Sequence, residues 1–156
     1  MASPLFDFDI VLAKAQKYCV YQERCQWDIE KKFNDWQVDD EIRDNILSEL
    51  IAQGFVNEER FAKQFASGRF RMKLWGKQKI KSELKMRQIS NYSITKALKN
   101  IDESEYRLTL QKLIAKKQKE IQEKSPFDLK QKIAQYLYGK GYESDLIWEE
   151  LQILDN

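Results

Sequence analysis

Apolar residues recur three and four positions apart along almost the whole of this chain. Val11, Ala15, Tyr18 and Gln22 share one line with Leu12 and Cys19 beside it, which predicts a helix over 10–22. Trp27, Ile29 and Phe33 predict a second helix that ends near Trp36. Asp39 is placed to cap a third, with Ile42, Ile46, Leu47 and Leu50 on its buried stripe and Gly54 to stop it. Asn57 then caps a fourth, with Glu58 and Glu59 at the positive end of the helix dipole. Its predicted stripe is Phe61, Phe65, Gly68 and Met72, flanked by the small Ala62 and Ala66. A fifth helix starts near Trp75-Gly76 and buries Ile80 and Leu84, and a sixth runs from about Asn91 with Ile94, Leu98 and Ile101. A long helix from Asp102 to about Lys124 lines up Tyr106, Leu110, Leu113, Lys117 and Ile121 until Ser125-Pro126 breaks it. The last two carry Ile133 and Leu137, then Leu146, Ile147 and Leu151, with Gly139-Lys140-Gly141-Tyr142 between them.

The spacing hides a repeat. Ile29, Phe33, Gln37, Val38 and Leu47 match Ile80, Leu84, Gln88, Ile89 and Leu98 at an offset of 51. Those match Ile133, Leu137, Gly141, Tyr142 and Leu151 at an offset of 53. A fixed apolar offset, with the turn between helices keeping its length, predicts a repeat array whose units bury their faces on one another. The expected fold is all-α: three tandem three-helix repeats in an elongated, curved array, with units at 1–54, 55–101 and 102–156.

Composition sharpens this picture. Five Gly and two Pro in 156 residues leave little turn chemistry for a sheet protein. The net charge of +2 conceals a segregation: residues 1–56 carry −5, residues 57–100 carry +9 and residues 101–156 carry −2. A basic middle between acidic flanks points to a polyanionic or acidic partner. Two cysteines, Cys19 and Cys25, form neither a disulfide framework nor a metal spacing, and are expected to be reduced helix residues. Met1–Phe6 lacks the charge and apolar core of a secretory leader, and no apolar run approaches a membrane span. A cytoplasmic monomer without a cofactor is expected.

Catalysis is not. The chain has no histidine, the commonest general base and metal ligand. Gly76-Lys77-Gln78 and Gly139-Lys140-Gly141 lack the rest of a phosphate loop. The pairs Asp39-Asp40 and Glu149-Glu150 are read as solvated charge at helix starts and on exposed faces.

The positive signal runs from Arg69 to Arg87, where eight basic residues face one acid, Glu83. The eight are Arg69, Arg71, Lys73, Lys77, Lys79, Lys81, Lys85 and Arg87. Lys77, Lys81 and Lys85 recur every four residues, one line along a helix about 100° around from Ile80 and Leu84. Such a row can neutralise successive phosphates or meet an acidic protein surface. A solubilising face mixes both signs, and this one does not. Trp75 stands between the two basic helices, placed either to stack on a base or to pack over the turn. Arg69 continues the Ala62–Ala66 line inward, so it is expected to snorkel or to pair. Candidate binding residues are Arg69, Arg71, Lys73, Trp75, Lys77, Lys81, Lys85 and Arg87.

Gly54-Phe55-Val56-Asn57-Glu58-Glu59-Arg60-Phe61-Ala62, followed by Arg69-Phe70-Arg71, Trp75-Gly76 and Ile80-Lys81-Ser82-Glu83-Leu84, resembles the RecX regulators of the bacterial recombinase RecA. Leu137-Tyr138-Gly139-Lys140-Gly141-Tyr142 is similar to that family's repeat junction, and the resemblance covers about residues 13–151. Where the family usually turns through Lys-Gly, the chain has Arg87-Gln88-Ile89 and Trp36-Gln37-Val38, which leaves the geometry of those turns open. The resemblance implies a non-enzymatic cytoplasmic protein of DNA repair, homologous recombination and the SOS response. It would bind in the groove of the RecA–DNA filament and lower filament growth, ATP hydrolysis and strand exchange. A stand-alone helix-turn-helix module contacting single- or double-stranded DNA is the alternative. The third helices, at 40–53 and 91–101, carry acids and scattered bases rather than a reading set of Asn, Gln and Arg, which favours the filament. A purely structural solenoid would not need the charge segregation.

Overall fold

The computed structural model describes residues 7–123 and 125–153. The leader reading at Met1–Phe6 and the helix end at Lys124 fall outside the described residues. Among the described residues there are nine helices and no strand. They are α1 (Phe8–Tyr21), α2 (Gln26–Asp35), α3 (Asp40–Ala52), α4 (Glu58–Lys73), α5 (Lys77–Met86), α6 (Asn91–Lys99), α7 (Glu103–Glu120), α8 (Pro126–Lys140) and α9 (Ser144–Ile153). The chain is a helical repeat array. Six helices start on a side-chain oxygen that accepts from a first-turn amide, supplied by Asp7, Asp39, Asn57, Ser90, Asp102 and Ser125.

The turn after the second helix of each set has the same hydrogen bonds all three times. The amides of Val38, Ile89 and Tyr142 donate to the carbonyls of Phe33, Leu84 and Leu137 at 2.9, 3.1 and 3.1 Å. One residue earlier, Gln37, Gln88 and Gly141 donate to Asn34, Lys85 and Tyr138. This paired pattern requires a left-handed residue, and φ is 56° at Gln37, 61° at Gln88 and 98° at Gly141. Two of the three turns therefore keep their shape with Gln where Gly is easiest. Val38, Ile89 and Tyr142 are buried, and their apolar contact fixes the turn despite the strain.

Two apolar clusters form. Val11, Ala15, Ile29, Phe33, Ile46 and Leu50 anchor one within α1–α3, while the other runs continuously from Phe61 in α4 to Leu151 in α9. The joint between α4–α6 and α7–α9 is backbone against backbone. Gly76 N–H donates to the Lys140 carbonyl at 2.7 Å and Gln78 N–H to the Gly141 carbonyl at 2.8 Å. A Cβ on Gly76 would sit 2.3 Å from the Gly141 carbonyl carbon, so only glycine fits there. Buried Tyr106 adds to it, accepting from Lys77 N–H at 2.9 Å and donating to Glu143. Between α1–α3 and α4–α6 the ties are side chains: Arg60 Nε lies 2.9 Å from Glu23, and Cys25 and Trp27 pack against the larger cluster.

Four expectations need correction. Met72 is 86% exposed, because α4 is covered by α5 and α6 on one side only and the predicted stripe runs off that side. Glu150 is 6% exposed, since Arg107 reaches it at 3.3 Å and Gln111 at 3.1 Å. Cys25 precedes α2 rather than lying in it, and Asp28 accepts from its amide and thiol at 3.1 and 3.3 Å. The long helix closes at Glu120, short of its expected end. Both thiols are free, and burial pushes Cys19 up to about 11 and Cys25 up to about 12.

Replacing Gln88 or Gln37 by Gly should raise stability by about 0.5–1 kcal/mol, as relief of the left-handed strain exceeds the entropy Gly adds to the unfolded chain. Gly141→Ala should do the reverse and by more, because the added Cβ meets that of Lys79 at 2.3 Å. Urea unfolding midpoints check both. Glu58 gives a pH dependence. Burial tends to raise its carboxyl, but the Ser90 amide and the hydroxyls of Ser93 and Ser90 donate to it and hold it below the usual range. A depressed folded-state value stabilises above the unfolded value of about 4.3 and is lost as pH falls through the folded one. Glu58→Gln should thus cost about 1 kcal/mol at neutral pH, the low end for charged hydrogen bonds because the site is exposed. The gap should close in acid, read from unfolding curves taken between pH 7 and 3.

Candidate nucleic-acid interface

The end of α4, the turn after it, α5 and its C-cap Arg87 hold all eight candidate residues. Leu74 makes the geometry: at φ 58° and ψ 35° it closes α4 in the left-handed region and sends the chain back over the helix. Trp75 thereby lands against Phe65, ring centroids 6.4 Å apart and nearly edge-on, at the margin of the larger core. It packs over the turn. Gly76 then fixes the start of α5 against the α8–α9 turn, so the direction of every α5 side chain follows from that contact.

The structure divides the candidates. Arg71 and Lys77 turn toward the start of α7, where Arg71 lies 3.8 Å from Glu105 and Lys77 Nζ 3.1 Å from Glu103. Lys77 also sits 4.7 Å over the Tyr106 ring and its side chain is only 20% exposed. Further along the same row, half-buried Lys81 and exposed Lys85 make no ion pair or ring contact among the described residues.

Arg69, Trp75 and Arg87 come together around Phe65. The Arg69 guanidinium lies 4.6 Å from the Phe65 ring and 5.4 Å from Trp75, and its Nε is buried without a hydrogen-bond partner. Arg87 lies 4.8 Å from the Phe65 ring and 5.5 Å from Trp27, with Glu83 at 3.0 Å. Its side chain is 17% exposed. Lys73 stands 6.0 Å from Trp75.

Three residues outside the candidate set join this group. Lys79 lies 4.6 Å over Trp75, and Trp27 and Lys31 extend the group onto α2, 4.3 Å apart. The signal in the sequence is the i, i+4 spacing of Trp27 and Lys31, which puts ring and ammonium on one helix face. At the far end, Lys140 donates to the Lys73 carbonyl at 2.9 Å. Burial and the charges of Lys79, Lys116, Lys117 and Lys73 lower its pKa, a direct mark of crowded positive charge there. Chemically the surface offers ammonium and guanidinium donors, not a nucleophile or a metal cage: among the described residues no group of three metal-ligating side chains forms. No described helix is long and apolar enough to cross a membrane.

Comparison with known proteins agrees with the fold. Residues 57–98 match the second three-helix domain of RecX and residues 105–151 the third. The regulatory protein RecX of Oceanobacillus iheyensis is 30% identical over 86% of this chain and 50% of its own length. That of Bacillus cytotoxicus is 24% identical over 94% and 55%. The chain spans about half the length of the curated relatives it matches. The crystal structure of RecX from Lactobacillus salivarius superposes with a TM-score of 0.84 at 22% identity, covering 95% of this chain and 96% of that one. A second solved RecX regulatory protein gives the same score over 93% and 72%. With two successive RecX domains matched across more than half of its residues, on a fold shared almost end to end, the chain belongs to the RecX family.

Proposed function

We propose that this protein binds the filament of the RecA recombinase on DNA and lowers its extension, ATP hydrolysis and strand exchange. It acts as a binding protein and not an enzyme. The observation that carries the reading is the charge segregation: a +9 middle on α4–α6, held between acidic flanks, in a chain of a regulatory family. The three helix sets act as units, 1–54, 55–101 and 102–156, and the outer two lie along neighbouring filament subunits while the middle meets the polyanion. Arg69, Arg71, Lys73, Trp75, Lys77, Lys81, Lys85 and Arg87 form the contact, in the cytoplasm, with the protein as a monomer. The pairing of Lys77 with Glu103 and of Arg87 with Glu83 fixes those two cations and leaves Lys81 and Lys85 as the most available of the α5 set.

The test is the ATPase of the cognate recombinase on single-stranded DNA, with and without the protein. Wild type should inhibit. Lys81→Ala with Lys85→Ala should change stability by less than about 0.5 kcal/mol and shift inhibition to higher concentration. The log–log salt slope of filament binding should shrink by roughly 1.4, two single-strand phosphate contacts at about 0.7 each. Reversing Asp40 and Asp44 is the control; Asp39 is unsuitable because its side chain caps α3. Wild-type protein that binds bare DNA but leaves the ATPase untouched would favour the stand-alone DNA-binding module instead.

A further inference from the structure

Cations and aromatic rings alternate without a break from the first helix set across the second. Lys31 lies over Trp27, Arg87 between Trp27 and Phe65, Arg69 between Phe65 and Trp75, and Lys79 over Trp75, each contact between 4.3 and 5.5 Å. With Lys73 beside Trp75 the ladder holds five cations, and among the described residues the carboxylate paired with it is Glu83. Each ring contact orients its cation and holds the long side chain down. The rings are occupied on the ladder side by cations, so the groups left to meet a ligand are N–H and ammonium donors, not bare aromatic faces.

We propose that this ladder is a phosphodiester-binding track that starts on the first helix set, at Trp27 and Lys31, and runs to Lys79, so that one nucleic-acid strand spans the seam between α1–α3 and α4–α6. The proposal rests on the reading that the partner of the basic middle is a nucleoprotein filament, and adds to it residues of α2 and a direction. The seam is where a bridging ligand would matter. Its own ties are side-chain contacts, chiefly Glu23 with Arg60 and Trp27 with Arg87, and it is flanked by a cleft of about 710 Å³ between Trp27, Ile51, Val56 and Arg87. A strand held at Lys31 on one side and Lys79 on the other draws the first set against the second. Because phosphates and not bases are met, binding is indifferent to base identity.

The experiment is fluorescence anisotropy of labelled 20-nucleotide oligo-dT, oligo-dA and a duplex of the same length, with full-length protein at several salt concentrations. Lys31→Gln and Lys79→Gln should each weaken single-strand binding by 3–10-fold and lower the salt slope by roughly 0.7. The dT and dA oligomers should bind alike, and Glu83→Gln should tighten both. Lys31 is exposed, so its variant folds; Trp27→Phe, which keeps a ring under Arg87 and Lys31, should retain most of the affinity. Unchanged affinity and slope in both lysine variants overturn the track, as does a strong preference for dT over dA. Equal binding of poly-glutamate, lost in the same variants, overturns the nucleic-acid assignment in favour of an acidic protein surface. Duplex bound more tightly than single strand overturns the single-strand form. If Lys31→Gln still inhibits the recombinase like wild type and binds DNA like wild type, the track fails while the filament reading stands. If wild-type protein fails to inhibit, the filament reading fails and the oligonucleotide data alone decide the track.

Discussion

The close approach of Gly76 to Gly141 is the constraint on which the candidate surface depends. Two backbone hydrogen bonds cross between the start of α5 and the end of α8, at a separation that admits no side chain on Gly76. Backbone contacts of this kind have no rotamers to relax, so α5 leaves the junction in one direction. That direction sets Lys79 over Trp75, Lys77 beside Glu103 and Ile80 and Leu84 into the core. Tyr106 completes the joint from below, where burial and its bond to Glu143 push its hydroxyl well above the ordinary tyrosine range and keep it a neutral donor. The charge on the surface is thus aimed by uncharged groups beneath it.

Much of the fold was legible because it is local. Helix caps, apolar lines and the repeat offset depend on residues within a turn or two of one another, and Asp39, Asn57 and Gly54 act where their chemistry predicts. The left-handed turns show the limit of reading residue type alone. Gln37 and Gln88 carry no mark of positive φ, and only their alignment with Gly141 places them. The misreadings share one cause. Met72 lies on a perfectly regular line but beyond the reach of any covering helix, and Glu150 is buried because Arg107 comes to it from another helix. Side-to-side packing of helices decides both, and periodicity along one helix holds no information about it.

The candidate interface follows the same division. A stretch of eight bases was visible in the sequence, while their sorting into two groups was not. Arg71 and Lys77 answer to acids on α7, some thirty residues away, and Arg69 and Arg87 to rings on three different elements. Leu74 hides best of all, since a leucine at φ 58° is written in no motif, yet it folds Trp75 back onto Phe65. Trp27 was legible only as a helix residue and Lys31 not at all, for a related reason: they belong to an acidic segment, and net charge summed over a segment conceals which face its few cations share.

The two apolar clusters have a consequence for how the chain comes apart. The one in α1–α3 draws only on its own set and the Phe55-Val56 turn, whereas the larger is continuous across α4–α9, takes in Cys25 before α2 and is reinforced by backbone bonds at Gly76 and Gly141. Cooperativity follows shared core, so the two helix sets that share one continuous core are expected to open together, with the first set the more separable part. Opening the first set breaks the side-chain contacts of Cys25, Trp27 and Glu23 and releases the Gly54 and Phe55 carbonyls that accept from Arg60. A thermal or mechanical load on this protein is therefore expected to be met first at the α1–α3 set, ahead of the basic middle.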